Sequence, residues 1–150
     1  LKDQVNICPA FICIHERYSS AEHDLLKVLE MDPDDASLYN NLGLVKIRQG
    51  EYQAALDYLN KSNRLQPGFM EALQNRVDAK FGLKDYQGAI DDLNRILLQE
   101  QVPYAYYYRG KAYLQLGMGE SACADFEKAV GLGYAVIDKF VLDSCETFRF

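Results

Sequence analysis

The chain repeats itself, and that limits what it can fold into more than any other feature does. Ala21, Ala55, Ala89 and Ala122 fall 34, 34 and 33 residues apart. Leu25, Leu59, Leu93 and Phe126 keep the same offsets. Tyr18, Tyr52 and Tyr86 follow them until Gly119 breaks the series, and Pro33 and Pro67 are succeeded by Gln101 and Tyr134. Earlier in each unit Tyr39, Leu73 and Tyr106 align, as do Gly43, Val77 and Gly110. One residue is lost near Val102 and Pro103. A unit of this length is one supersecondary element. It cannot bury its apolar face alone, so neighbouring units must stack. With 49% hydrophobic and 25% charged residues, the chain has the apolar content that stacking requires and is not a disordered segment.

Each unit reads as two helices. The spacing predicts a helix over 36–49, with Leu38, Leu42 and Val45 at helical intervals and Tyr39 beside them. Gly50 ends it by permitting a left-handed backbone. A second helix is predicted from about Tyr52 to Arg64, with Ala55, Leu56 and Leu59 inward and the small Ala55 allowing close approach. Pro67 stops the pair, and the next helix begins between Gly68 and Met70. Asp32 or Asp34 is the expected cap of the helix that starts near Asp35.

These residues resemble the tetratricopeptide-repeat family. The stretch YNNLGLVKIRQGEYQAALDYLNKSNRLQP, Tyr39 to Pro67, follows the family pattern closely. DYQGAIDDLNRIL matches its second half, YYYRGKAYLQLGMGESACADFEKAVGLG most of a third unit, and SSAEHDLLKVLEMDP the second half of a first. The resemblance implies an all-α fold, a right-handed superhelix of about four helix pairs with a C-terminal lid. The expected units are a degenerate first one at 1–35, repeats at 36–69, 70–102 and 103–134, and a capping helix at 135–147. Arg76 and Val77 depart from the family's Leu-Gly pair, Lys84 stands where the turn glycine belongs, and Gly119 replaces the turn aromatic. The ending ACADFEKAVGLGY is similar to the last repeat of many bacterial proteins of this type.

The ends are less regular. Lys2 to His15 should form an apolar first helix, starting at Pro9 or slightly earlier; in the alternative, 1–8 is an extended arm. The expected lid carries Val136, Ile137, Phe140, Val141 and Cys145, and Phe148 and Phe150 lie beyond it. His15 and His23 are placed on different helices of the first unit. Cys8, Cys13, Cys123 and Cys145 read as buried free thiols, with a Cys123–Cys145 disulfide as the alternative if consecutive helices meet there.

Arginine and aspartate come and go together within the units. Arg76 and Arg109 are each followed 16 residues later by Asp92 and Asp125, whereas the unit with Leu42 in place of arginine has Tyr58 in place of aspartate. Ion pairs Arg76–Asp92 and Arg109–Asp125 are therefore expected between the two helices of a unit, as structural contacts.

In the family the first helices line a concave groove, and the resemblance implies that groove residues recognise peptides. The matching positions are Asn40, Leu44, Ile47 and Arg48, then Gln74, Asp78 and Phe81, then Tyr104, Tyr107, Lys111, Leu114 and Gln115, with Asn6 and Ala10 continuing the strip. The function expected is a non-catalytic scaffold that binds a peptide or protein there. The alternative is a structural element that associates through the array ends, as in a homodimer through terminal helices.

Other classes fit poorly. A formal charge of -6 disfavours non-specific nucleic-acid binding, and only Arg109 and Lys111 lie in the tyrosine run Tyr104 to Tyr113. The carboxylate clamp of one family branch is not expected: Asn41 and Asn75 fit it, but Glu71 and Asn40 stand where basic residues are needed. His15, His23, Cys8 and Cys13 match no compact zinc spacing, and no phosphate loop, GxSxG or HExxH occurs. No cofactor, metal or catalytic activity is expected. No apolar run reaches the ~18 residues of a membrane span. The chain begins at Leu1, so a preceding segment is expected, and the compartment, cytoplasmic or periplasmic, stays open.

Overall fold

A computed structural model describes residues 10–134 and Cys145, with side chains from Arg17 onward. The described part is all α: α1 (Ala10–Met31), α2 (Ala36–Gln49), α3 (Tyr52–Leu65), α4 (Met70–Gly82), α5 (Tyr86–Gln99), α6 (Pro103–Gln115) and α7 (Gly119–Gly131). The expectations for Asn6, Cys8, Pro9, the lid over 135–147, Phe148 and Phe150, and for the side chains of Ala10, Cys13 and His15, concern what lies outside that description.

Three helix pairs, α2–α3, α4–α5 and α6–α7, stack in order, each packing on the next, and α1 packs on α2. The turns inside the pairs share one geometry. Gly50, Lys84 and Gly117 have φ of 79°, 60° and 74°. The amides that follow them reach back to Lys46 O, Lys80 O and Tyr113 O at 2.9, 2.8 and 2.9 Å. This closes the end of each first helix by satisfying carbonyls that the helix leaves open. Lys84 adopts the conformation that glycine holds in the other two turns.

The first unit differs from its expected form. The position matching Gly50 is Glu16, and there the chain continues as helix, so α1 runs unbroken for 22 residues. His15 and His23 consequently lie on one helix. Without a residue that tolerates the left-handed turn, nothing in 15–18 interrupts the helical hydrogen bonds. At its other end, α2 is capped by Asp35 itself, whose Oδ1 accepts from Ser37 N at 2.7 Å, and not by Asp32 or Asp34. The cap follows from its position one residue before the first helical residue.

The core is segmented, as stacking of short units requires. Ala55, Leu59, Ala72 and Ala79 form one cluster between α3 and α4. Leu73, Val77, Ala89, Leu93, Ile96 and Ala105 form a second, with Phe81, Tyr104 and Tyr108 laid against it. Ala122, Cys123, Phe126 and Cys145 form a third, flanked by Tyr107 and Tyr113. Close approach within pairs depends on missing side chains: a Cβ on Gly43 would fall 2.5 Å from Leu59 Cγ, and one on Gly110 2.8 Å from Phe126 Cε1.

Cys123 and Cys145 are joined in a disulfide, with Cα atoms 5.4 Å apart. The free-thiol expectation is thereby corrected for these two residues. Both are buried, and the bond ties residue 145 to the middle of α7.

Candidate functional site

The first helices of the second and third pairs frame an open cleft. Gln74 and Asp78 lie one turn apart on α4, with Val77 between them in the core, and Tyr104 and Tyr108 lie one turn apart on α6. Together these five residues line a cleft of about 340 Å³. Val77 makes its apolar floor and belongs to the second core cluster, against which Tyr104 and Tyr108 pack. Pro103 starts α6 at the position where a missing N–H is harmless, and this sets the first turn that carries Tyr104.

Polar groups in the cleft are unevenly satisfied. Gln74 Nε2 donates to Tyr104 Oη at 2.6 Å, so the tyrosine keeps its own O–H to donate. Asp78 has no hydrogen bond or ion pair among the described residues. Asp78 is an exposed residue, and the partial burial of its carboxyl against the cleft wall raises its pKa, with Arg48 on α2 pulling the other way. Burial likewise raises the phenols of Tyr104 and Tyr108, and the charge of Asp78 adds to the rise at Tyr108. Phe81 meets the edge of Tyr108 at 5.9 Å, and Lys111 Nζ lies 5.4 Å from its centroid.

The expected strip is thus divided. Gln74, Asp78 and Tyr104 come together, with Phe81 against their neighbour Tyr108. Asn40 is buried, and its Oδ1 accepts from Asn75 Nδ2 at 2.9 Å, making it a tie between α2 and α4. Ile47 packs on the first core cluster and Leu44 is half-buried. Tyr107 turns toward the C-terminal end, stacked on Tyr134 at 4.7 Å. Arg48, Lys111, Leu114 and Gln115 are exposed. Tyr108 was absent from the sequence-derived strip; its spacing from Tyr104 was the signal that could have found it.

The arginine–aspartate positions lie beside the cleft, inside the pairs. Arg109 donates twice to Asp125, Nε to Oδ2 at 2.7 Å and Nη2 to Oδ1 at 2.6 Å, and Nη1 donates to Asn94 Oδ1 at 2.6 Å. Arg76 Nη2 lies 3.1 Å from Asp92 Oδ1, and Lys80 Nζ takes the other carboxylate oxygen at 2.6 Å. Lys80 is a partner that the spacing argument missed. In the pair without these residues, Tyr58 sits against Tyr39 with centroids 6.5 Å apart. Among the described residues no group of three or more His, Cys, Asp or Glu could hold a metal, and no helix is long and apolar enough to cross a membrane.

A family model described as tetratricopeptide repeat matches residues 15–68 and 75–133. The DnaJ protein P58IPK homolog of Arabidopsis thaliana is 28% identical over 120 residues, 77% of this chain and 24% of that protein. The TPR repeat-containing protein MJ1428 of Methanocaldococcus jannaschii is 33% identical over 108 residues, 69% of this chain and 18% of that protein. The chain spans between 7% and 27% of the length of the curated relatives it matches. Among solved structures, MamA superposes with a TM-score of 0.81 at 23% identity, covering 95% of this chain and 85% of that one. A tetratricopeptide repeat protein from Parabacteroides merdae gives 0.77 at 25% identity, covering 87% and 54%.

Proposed function

The chain belongs to the tetratricopeptide-repeat family, and on that premise we propose that it is a non-catalytic scaffold that takes a peptide or protein segment in its groove. The observation that carries this reading is the cleft between α4 and α6. It combines an unpaired carboxylate, a glutamine and two tyrosines over an apolar floor. Tyrosine suits recognition because it offers large contact area with few torsions and keeps a hydroxyl handle. The units at 36–69, 70–102 and 103–134 act as a rigid frame, with internal ion pairs holding the second and third in register and the Tyr39–Tyr58 contact standing in the first.

Selection of a random displayed-peptide library on the full chain tests this. Binders are expected to lose about tenfold or more on Gln74→Ala and on Tyr104→Ala, as central interface residues do. Selected peptides indifferent to both substitutions would move recognition off the cleft.

A second reading, association through the array ends, is favoured by Val28 and Met31, which α1 leaves exposed. Molar mass across a concentration series separates the two, since end association predicts a dimer that Met31→Glu weakens.

A further inference from the structure

We propose that the α4–α6 cleft takes an arginine side chain of a partner polypeptide, with Asp78 as the acceptor for its guanidinium and Tyr104 and Tyr108 as the surfaces its plane lies on. The inference rests on the groove reading above and narrows the kind of segment that fits. Among the described residues Asp78 is the one acidic residue of the cleft lining, and no cation forms an ion pair with it. An exposed carboxylate on the cleft wall, without a hydrogen bond or ion pair among the described residues, is an acceptor open to a partner's donor. Gln74 donates one amide N–H to Tyr104 and retains Oε1 as a second acceptor. A planar fork of N–H donors that also stacks on aromatic rings matches this set, and a lysine ammonium matches only the point charge.

The chain's own cations bear on the choice. Arg48 acts on Asp78 only through space. Lys111 is exposed, and its ammonium lies 5.5 Å from the Tyr107 centroid and 5.4 Å from that of Tyr108. A cation therefore already uses this tyrosine surface, and an exposed contact of that kind is weak enough for an incoming guanidinium to displace. The overall charge of -6 favours approach of a basic segment.

The test is an amide-resolved NMR titration of the full chain with N-acetyl-arginine N-methylamide, and in parallel with the citrulline analogue, which keeps the shape and lacks the charge. Saturable shifts confined to α4 and α6 are expected for arginine, in the millimolar range suited to one side chain. Asp78→Asn should weaken binding roughly tenfold or more, and Arg48→Ala should strengthen it. Citrulline binding as well as arginine, or Asp78→Asn leaving the affinity unchanged, would overturn the proposal. So would the reverse pattern, in which Arg48→Ala weakens binding of selected peptides and Asp78→Asn strengthens it, because that describes an anionic ligand. Library peptides that map to the cleft without arginine enrichment would sink the arginine assignment and leave the groove reading standing. Absence of any peptide mapping to α4 and α6 would remove both. Both variants are checked for an unchanged fold by their amide spectra.

Discussion

Arg109 holds Asp125 through two parallel hydrogen bonds of 2.7 and 2.6 Å, so the guanidinium and the carboxylate share a plane across the α6–α7 pair. Asn94 on α5 accepts a third N–H, which extends the contact into the preceding pair. Asp125 is nearly buried, and its hydrogen bonds raise the already basic pKa of Arg109. Removing one partner leaves a largely desolvated charge without its counterpart. Asp125→Ala should therefore destabilise by about 3 kcal/mol, and Arg109→Lys by about 1–2 kcal/mol through loss of the fork. The double replacement Arg109→Lys with Asp125→Ala should lose less than the two single losses added. Urea titrations of all three variants check this, and simple additivity would show the pair to be uncoupled.

Lys84 carries a second prediction. Its φ of 60° lies in the region that Gly50 and Gly117 occupy at the matching turns. A Cβ in that region crowds the following carbonyl, at a cost of about 1–2 kcal/mol. Lys84→Gly should raise stability by about 0.5–1 kcal/mol, because the relief exceeds the extra entropy that glycine loses on folding. Thermal melts compare the two chains, and a lower Tm for the variant would show that Lys84 is not strained.

The comparison of Gly50, Lys84 and Glu16 shows what the sequence could and could not disclose. The period was enough to predict an all-α stack of helix pairs, because stacked pairs depend on local spacing. It was not enough at Glu16. There the aligned position suggested a turn, and a residue compatible with helix let α1 run through. The ion-pair positions were visible as co-occurrence of arginine with aspartate. Lys80 was not, because its counterpart in the last unit is Tyr113 and no recurrence marked it. The groove strip was read from family positions alone. Burial then separated it, sending Asn40 into a contact with Asn75 and Tyr107 toward Tyr134, and bringing in Tyr108. Side-chain direction across an interface depends on how helices are offset, which a repeat register does not encode.

The disulfide gives a third prediction. Cys123 and Cys145 are 22 residues apart, and closing a loop of that size stabilises by about 3 kcal/mol in the chain-entropy account. Reduction, or Cys123→Ser with Cys145→Ser, should lower the Tm, and amide exchange should rise first in α7. Unchanged exchange in α7 would mean the bond contributes little to holding that helix.

Acid should act first on the contact between α1 and α2. Lys46 Nζ lies 2.8 Å from Glu22 Oε1, and Gln49 donates to the same carboxylate at 3.2 Å. The Lys46 hydrogen bond outweighs desolvation and holds the Glu22 carboxyl below the usual glutamate range. A depressed carboxyl pKa contributes stability that is present above its unfolded value and is lost as pH falls through the folded one. α1 should therefore lose amide protection on acidification before α4 and α5 do. Glu22→Gln should flatten that response, and simultaneous loss across all helices would place the acid sensitivity elsewhere.

Asp78 should behave in the opposite sense. Crowding in the cleft raises its carboxyl above the ordinary aspartate value, with Arg48 only partly offsetting the effect. The folded chain then holds this proton at pH values where the unfolded chain has released it. Its stabilising share is complete below the unfolded pKa and disappears as pH rises through the folded one. Asp78→Asn has no charge to desolvate, so its stability advantage over the parent should grow as pH rises through and just above the normal carboxylate range. At neutral pH the variant should melt higher, while losing the affinity for an arginine side chain. Melts of both chains from about pH 4 to about pH 7 measure the difference directly. A variant that melts lower than the parent at neutral pH would show that Asp78 acts as a structural partner instead.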